Sequence, residues 1–405
     1  MLGQVELKSK LFLSPFTLYT ITFAFVLLIY KLRWSPAYPD LSWTLLFFLV
    51  TTMLFMFILG TYFQSKNYFN YTSVPYNLRW VGKNIIFCYI LLIIEFIHAG
   101  TIPIFAILFG KGFKYTEFGL PFIHVIFVNY ISFLALYIFH SFRSANSNKD
   151  KRNLFLYYLM CCVPGILFFN RGIILSIFFG SFIIYLLSVP RKIFMRTIVT
   201  ISLFFILIFY LFGLMGNIRT DISKKKYIIL EISGASEEFI NSDIPKEFYW
   251  GYLYIASPLG NLQNGINKNP PVYYSIEDFA SLICFDFLPE IIGKRLISLL
   301  KLEYKHCIRV FSAITVATCY DGPFSYFGWL GMILHFIFGL FFIFINLLLI
   351  PKNSPYFITG VTILSTIVIL NTFDNMYVFM GQVPQLFFVI AYSFKYWKKR
   401  KQYVV

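Results

Sequence analysis

Long apolar runs, separated by short polar connections, make up the chain on both sides of one polar region. A helix needs ~20 residues to cross a bilayer, and ten runs approach or exceed that length. The runs are continuous and do not alternate with a period of two, so they predict transmembrane helices rather than the strands of a barrel. They extend over roughly 12–31, 41–62, 84–100, 121–141, 154–169, 172–189, 197–215, 324–350, 356–373 and 376–394.

The polar region extends from Gly216 to about Asp321. Connections without a function are usually short, so a loop of about 105 residues in a polytopic membrane protein is expected to be a working part. Between Phe279 and Leu300 its apolar residues recur every three or four positions, with a break at Pro289. This spacing predicts two short amphipathic helices on the membrane surface or on the helical bundle. We therefore expect a folded cap at residues 216–322, between transmembrane blocks at 1–215 and 323–405.

Composition supports the same class of protein. Of 405 residues, 59% are hydrophobic and only 13% are charged, which is more apolar surface than a soluble domain can bury. The predicted fold is an all-α polytopic membrane protein with about ten transmembrane helices. Its net charge of +16 is explained by basic residues beside anionic headgroups, so no nucleic-acid partner is expected.

The distribution of lysine and arginine predicts the orientation. With the N-terminus inside, eighteen fall in inner segments and five in short outer loops, and basic residues favour the cytoplasmic side. The inner ones are Lys8, Lys10, Lys66, Arg79, Lys83, Arg143, Lys149, Lys151, Arg152, Arg191, Lys192, Arg196, Lys352, Lys395, Lys398, Lys399, Arg400 and Lys401; the outer ones are Lys31, Arg33, Lys111, Lys114 and Arg171. Both termini are therefore predicted inside, and the large loop outside.

Most other ionisable residues are predicted at the outer face. They are Glu95, His98, His124, Arg171, Arg219, His306, Arg309, Asp321 and Asp374. Ionisable groups within a membrane span are costly and often functional. Structural roles stay open as well: Glu95 and His98, one helical turn apart, could hold the bundle together, Arg171 could lie at the membrane interface, and Asp374 could cap a helix.

The chemistry of these residues suits an anionic substrate. Arginine grips phosphate oxygens through paired hydrogen bonds, so Arg171, Arg219 and Arg309 are candidates for binding a lipid diphosphate. The chain contains no phosphate-binding glycine loop, zinc cluster or serine nucleophile elbow, and we predict no cofactor and no metal. Cys307 and Cys319 could form a disulfide if the loop faces an oxidising compartment.

Several short motifs resemble the bacterial oligosaccharide repeat-unit polymerases of the O-antigen polymerase (Wzy) type. Each motif alone is weak, but their order and the position of the loop are fairly specific. The motifs are residues 95–103 (EFIHAGTIP), 118–124 (FGLPFIH), 170–172 (NRG), 213–219 (GLMGNIR), 254–262 (YIASPLGNL), 315–318 (TVAT) and 327–331 (FGWLG).

The resemblance implies a GT-C-like membrane glycosyltransferase in the bacterial inner membrane, with its active face in the periplasm. Its substrate would be an undecaprenyl-diphosphate-linked oligosaccharide, and a chain-length regulator would be a partner. The family's diphosphate-binding arginines correspond to Arg171 and Arg219, with Arg309 as a third candidate. For the general base we rank Glu95 first, followed by His306 and Asp321, with His98 setting the charge of Glu95 and His124 supporting the site.

The chain departs from the family pattern at two places. Some members have a glycine eleven positions after each periplasmic arginine, where this chain has Phe182 and Leu230. An acidic residue often precedes the Phe-Gly of the re-entry helix, where this chain has Tyr326. Three alternatives stay open: an O-antigen ligase acting on lipid A core, which a loop histidine such as His306 would favour, a polysaccharide flippase, and a membrane acyltransferase.

Overall fold

A computed structural model describes residues 6–7, 11–108, 118–168, 170–190, 196–197, 199–200, 206–207, 209–214, 216–217, 227–268, 275–312 and 314–400. In these ranges the chain is helical apart from its connections and one pairing of two-residue strands, Glu6–Leu7 with Tyr71–Thr72. The first helices are α1 (Pro15–Tyr30), α2 (Trp43–Ser65), α3 (Leu78–Ala99), α4 (Pro103–Leu108), α5 (Ile123–Ser144), α6 (Asn148–Leu167) and α7 (Arg171–Ser188). The later ones are α8 (Ile228–Ile232), α9 (Glu237–Ile240), α10 (Phe248–Lys268), α11 (Ile276–Leu282), α12 (Glu290–Leu300), α13 (Asp321–Leu349), α14 (Phe357–Leu370) and α15 (Pro384–Arg400).

Short polar residues set where several of these helices begin. Ser14, Ser42, Asn77 and Asn170 each accept a hydrogen bond from a backbone N–H of the following first turn, as N-caps do. Such caps can be recognised in the sequence because the interaction is local.

The described helices support an all-α membrane protein. Four stretches are long and apolar enough to cross a membrane: Trp43–Ser65, Leu78–Ile107, Ile123–Ser144 and Asp321–Leu349. Shorter apolar helices cover Pro15–Tyr30, Gly172–Ser188 and Phe357–Leu370. The predicted run at 197–215 lies partly outside the described residues, so the number of ten spans and the GT-C-like architecture stay predictions.

The predicted start of the last transmembrane helix was wrong. We predicted a helix from residue 376, but residues 376–383 form turns and α15 begins at Pro384. The turn segment is bonded to the large loop, because Glu290 donates its backbone N–H to the carbonyl of Val378 at 3.1 Å. The backbone N–H of Met380 donates to the Glu290 carboxylate at 3.2 Å. These tertiary bonds replace helical ones, and proline suits a first helical turn because it has no N–H.

Contacts define two ends of the helical bundle. At one end, the N–H of Cys319 before α13 donates to the carbonyl of Asn371 after α14 at 2.9 Å. At the other, Trp397 of α15 donates its indole N–H to the carbonyl of Leu349 of α13 at 3.0 Å. The described residues of the segment 227–312 pack on the end that contains Cys319 and Asn371. We call this end the loop end.

The large loop is tied to the connection between α1 and α2. Ser236 donates its backbone N–H to the carbonyl of Trp34 at 2.8 Å, and Ser42 donates to Gln263 of α10 at 2.8 Å. Helix α10 continues through Pro258 to Lys268. Residues 256–265 are all buried, and this burial offsets the backbone hydrogen bond that Pro258 cannot donate.

The re-entry helix α13 contains a break seven residues after its start. Phe327 and Gly328 have non-helical backbone angles, and Gly328 has a φ of 54°, which a residue with a Cβ adopts only with strain. The first turns of α13, which begin at Asp321, are therefore separate from the apolar part of the helix.

Candidate functional site

A buried ion pair lies at the loop end, where the large loop meets the start of α13. Arg309 donates from Nη1 to Oδ1 of Asp321 at 2.7 Å, and the two side chains are 14% and 5% exposed. A second guanidinium donor, Nε of Arg309, is buried without a partner among the described residues. The arginine therefore holds Asp321 with one nitrogen and keeps another for a further acceptor.

Amide side chains of α10 hold the backbone on both sides of Arg309. Asn264 donates to the carbonyl of Ile308 at 2.6 Å, and Asn261 accepts from the N–H of Val310 at 3.0 Å. Because both neighbours of Arg309 are thus bonded to a buried helix, the guanidinium has a defined position. Burial alone would lower the pKa of Arg309, but the hydrogen bond and charge of Asp321 raise it above its ordinary value, so the arginine stays charged.

Asp286 is a second buried carboxyl group beside this pair. It lies on a single π-helical turn, Ile283–Phe287, and such turns are frequent at functional sites. Asn375 donates to its Oδ1 at 3.3 Å and to its backbone carbonyl at 3.0 Å. Its other oxygen, Oδ2, is buried without a partner among the described residues.

The environment of Asp286 favours the protonated form. Burial raises its pKa to about 8, the hydrogen bond from Asn375 opposes this rise, and the negative charges of Asp321 and Asp374 add to it. Asp374 itself is exposed and accepts from the N–H of Asn375 at 2.7 Å. It therefore does not cap α15, as the sequence had allowed.

A second pair at the loop end joins Glu95 of α3 to His124 of α5. Oε2 of Glu95 lies 2.9 Å from Nδ1 of His124, and the Glu95 side chain is fully buried. The expectation that His98 sets the charge of Glu95 was wrong, because His98 is exposed while Glu95 faces the bundle. The partner comes from the next membrane helix instead of from the next helical turn.

The remaining predicted site residues are placed only in part. Arg171 begins α7, but its side chain lies outside the described residues, as does the whole of Arg219. His306 is exposed, and its ring stacks on that of Tyr304 at 5.7 Å. In the part of the chain that the structure describes, no hydrogen bond or ion pair links the Arg309–Asp321 pair to the Glu95–His124 pair.

Two cysteines of the large loop lie close to this site. Cys307 and Cys319 are both buried free thiols, so the disulfide that the sequence allowed is not formed. Cys307 instead donates to the backbone carbonyl of Asp321 at 3.6 Å. Within the described ranges, no three His, Cys, Asp or Glu side chains are arranged to hold a metal ion.

Sequence reasoning missed Asp286. It is the one charged residue of the stretch 279–289, which is otherwise almost wholly apolar. A single carboxyl in such a stretch is expensive to bury and is therefore a sign of function.

We predict that Gly322→Ala disrupts the site, because a Cβ at this position would lie 2.5 Å from Oδ1 and 2.7 Å from Oδ2 of Asp286. A buried carboxyl group has little room to withdraw, so we expect the free energy of unfolding to fall by about 1–3 kcal/mol, as overpacked sites do. Gly82→Ala in α3 is the matched control, since its Cβ would meet only the Tyr157 side chain, at 3.3 Å. Equal stability of the two variants in detergent micelles would contradict a close approach of residue 322 to Asp286.

Comparison with known proteins assigns no family to this geometry. The chain matched no protein-family model, no curated protein and no solved structure.

Proposed function

We propose that this protein is a bacterial membrane glycosyltransferase that polymerises oligosaccharide repeat units linked to undecaprenyl diphosphate. It transfers the growing glycan from its lipid diphosphate to the non-reducing end of a fresh lipid-linked repeat unit, and so builds an O-antigen or a related surface polysaccharide. The proposal extends the sequence resemblance. The observation that carries it is the pair of Arg309 and Asp321 beneath the folded loop, in which one guanidinium donor has no partner among the described residues.

The two residues of this pair suit the two demands of the reaction. As the bond to the anomeric carbon breaks, negative charge develops on the leaving diphosphate, and a guanidinium stabilises it without a metal ion. The attacking sugar hydroxyl must lose its proton, and a carboxylate close by can accept it. We assign the first role to Arg309, together with Arg171 and Arg219 by resemblance, and the second role to Asp321.

Glu95 is less suited to the role of base than its sequence position indicated. One of its carboxylate oxygens is bonded to His124, and among the described residues no hydrogen bond or ion pair connects Glu95 to the Arg309–Asp321 pair. We therefore assign Glu95 the task of orienting His124 at the loop end. His306, which is exposed on the loop, stays a candidate for contact with the acceptor.

The proposed orientation follows from the distribution of basic residues. The loop end faces the periplasm of a bacterial inner membrane, both termini are cytoplasmic, and a chain-length regulator is the expected protein partner. The loop end then faces the lipid-linked substrate, and the basic residues at the opposite end lie beside the anionic lipid headgroups of the cytoplasmic leaflet.

The test is turnover of the purified protein with its lipid-linked repeat unit alone, with the products separated by size on a gel. We expect a ladder of lipid-linked oligomers without added nucleotide or metal, lost in Arg309→Gln. Arg79→Gln, an exposed arginine on α3 far from the loop end, is the matched control and should make the full ladder. The loss of an arginine that stabilises transition-state charge should reduce the rate by about 100-fold or more.

Other products would point to the alternatives. Transfer to lipid A core without a ladder would identify a ligase. Movement of the lipid across a vesicle bilayer without any transfer would identify a flippase. Either result would overturn the assignment of polymerase activity.

A further inference from the structure

Among the described residues, Asp286 has no cationic partner, whereas Asp321 is bonded to Arg309. In the same part of the chain, Asp286 has a single weak side-chain amide donor, and its other carboxyl oxygen has no partner. Asp286 is nevertheless buried, with only 6% of its surface exposed. A charged carboxylate is rarely buried in this way without a partner. The geometry therefore favours the protonated, neutral form of Asp286.

The carboxyl group of Asp286 lies close to the backbone of α13 beside Asp321. Asp321 is followed directly by Gly322, and a Cβ there would lie within 2.9 Å of all three atoms of the Asp286 carboxyl group. Glycine permits this approach because it has no side chain. The acid on the π-helical turn therefore lies against the first turn of α13, which carries Asp321.

We propose that Asp286 is the proton donor of this site, a neutral carboxylic acid that gives its proton to the leaving diphosphate. This inference rests on the proposed glycosyl transfer. Paired carboxyl groups whose environments differ commonly divide the acid and base roles between them. The structure provides that division by giving the arginine to one carboxyl group and not to the other.

The step balances in protons and electrons. The acceptor hydroxyl oxygen forms a bond to the anomeric carbon, and its proton passes to Asp321. The bond between the anomeric carbon and the diphosphate oxygen breaks, its electron pair stays on that oxygen, and the proton of Asp286 neutralises part of the new charge. Transfer of a proton from Asp321 to Asp286 past Gly322 then restores both groups for the next cycle.

Several groups interact electrostatically with Asp286 and bear on its proton. They are Asp321 and Tyr326 of α13, Asp374 after α14, Cys319 before α13 and Tyr304 of the loop. Burial disfavours the charged form of Asp286 most, the hydrogen bond from Asn375 only partly offsets this effect, and the nearby acids add to it. The resulting pKa of about 8 is close to that of an efficient acid catalyst at neutral pH.

The test compares the unmodified protein with Asp286→Asn and with Glu303→Gln, which removes an exposed acid of the same loop. Asparagine has the shape and the neutrality of the protonated acid but cannot donate a proton, so the fold should be retained. We expect the polymerisation rate of Asp286→Asn to fall by about 100-fold or more. The loss of rate of the unmodified protein above pH 8 should be absent in this variant, and Glu303→Gln should behave as the unmodified protein.

A second measurement is independent of turnover. The infrared spectrum of the unmodified protein at pH 7 should contain a band of a protonated carboxylic acid that is missing from Asp286→Asn. If that band is absent, or if Asp286→Asn makes the ladder at the normal rate with an unchanged pH profile, the role of Asp286 as proton donor is wrong while the polymerase assignment stands. If the unmodified protein makes no ladder but shows the band, the polymerase assignment fails and the proton-donor role fails with it.

Discussion

Arg309→Met should reduce the free energy of unfolding by about 3–5 kcal/mol, because it leaves the buried Asp321 carboxylate without its partner. The pair joins two largely buried side chains at 2.7 Å. The double variant with Asp321→Asn should recover most of the stability, since no uncompensated charge remains buried. It should still make no polymer, because both reacting groups are absent.

A surface pair of the same chain provides the control for this prediction. Arg33 and Asp40 lie 2.6 Å apart, but their side chains are 45% and 87% exposed. Exposed pairs contribute about 1 kcal/mol or less, so Arg33→Met should change stability little. Unfolding of all four proteins in detergent micelles would measure the difference. Equal effects of Arg309→Met and Arg33→Met would show that burial does not strengthen the pair at the loop end.

Asp286→Asn should stabilise the protein, and the gain should grow as the pH rises from about 4 to about 8. The folded protein keeps the Asp286 proton up to a pKa of about 8, whereas the ordinary pKa of this side chain is 3.8. Folding therefore takes up a proton between these values, and the stability of the unmodified protein falls as the pH rises through this window. One pKa unit corresponds to about 1.4 kcal/mol, so the full gain is on the order of 6 kcal/mol at most.

The measurement is the stability of both proteins at several pH values between 4 and 9. Below pH 4 the two should be nearly equal, since the acid is protonated in both the folded and the unfolded states. Above pH 8 the difference should be constant. A difference that does not change with pH would mean that Asp286 has an ordinary pKa in the folded protein.

These two predictions describe a site in which the buried acid Asp286 lowers the stability of the folded protein. An acid without a cationic partner destabilises the fold at neutral pH, and an asparagine of similar shape would remove that cost. Perturbed acids of this kind cluster at functional sites. Asp286→Asn should therefore be more stable and less active than the unmodified protein.

Much of the secondary structure could be predicted because its causes are local. Caps such as Ser14 and Asn77 act within one helical turn, and the spacing of apolar residues predicted the two short helices on either side of Pro289, observed as α11 and α12. The start of α15 was missed because residues 376–383 bond to Glu290, which lies far away in the chain.

The composition of the site could be predicted only in part. Arg309 and Asp321 were recognised as separate candidates, but nothing in their spacing indicated that they pair. Glu95 was given His98 as its partner because the two are one turn apart, whereas its partner, His124, lies 29 residues away. Asp286 was overlooked because it stands alone in an apolar stretch and meets Asn375, 89 residues away.

The sequence by itself determined that this is a helical membrane protein with a large polar loop, because hydrophobic burial and helix capping depend on residue type and near neighbours. Only the tertiary structure decided which charges meet, which of them are buried and which carboxyl group is left without a cation. The physical reason is that a pKa or an ion pair depends on the local dielectric and on charges within a few ångströms. At the loop end, those neighbours come from segments that are distant in the chain.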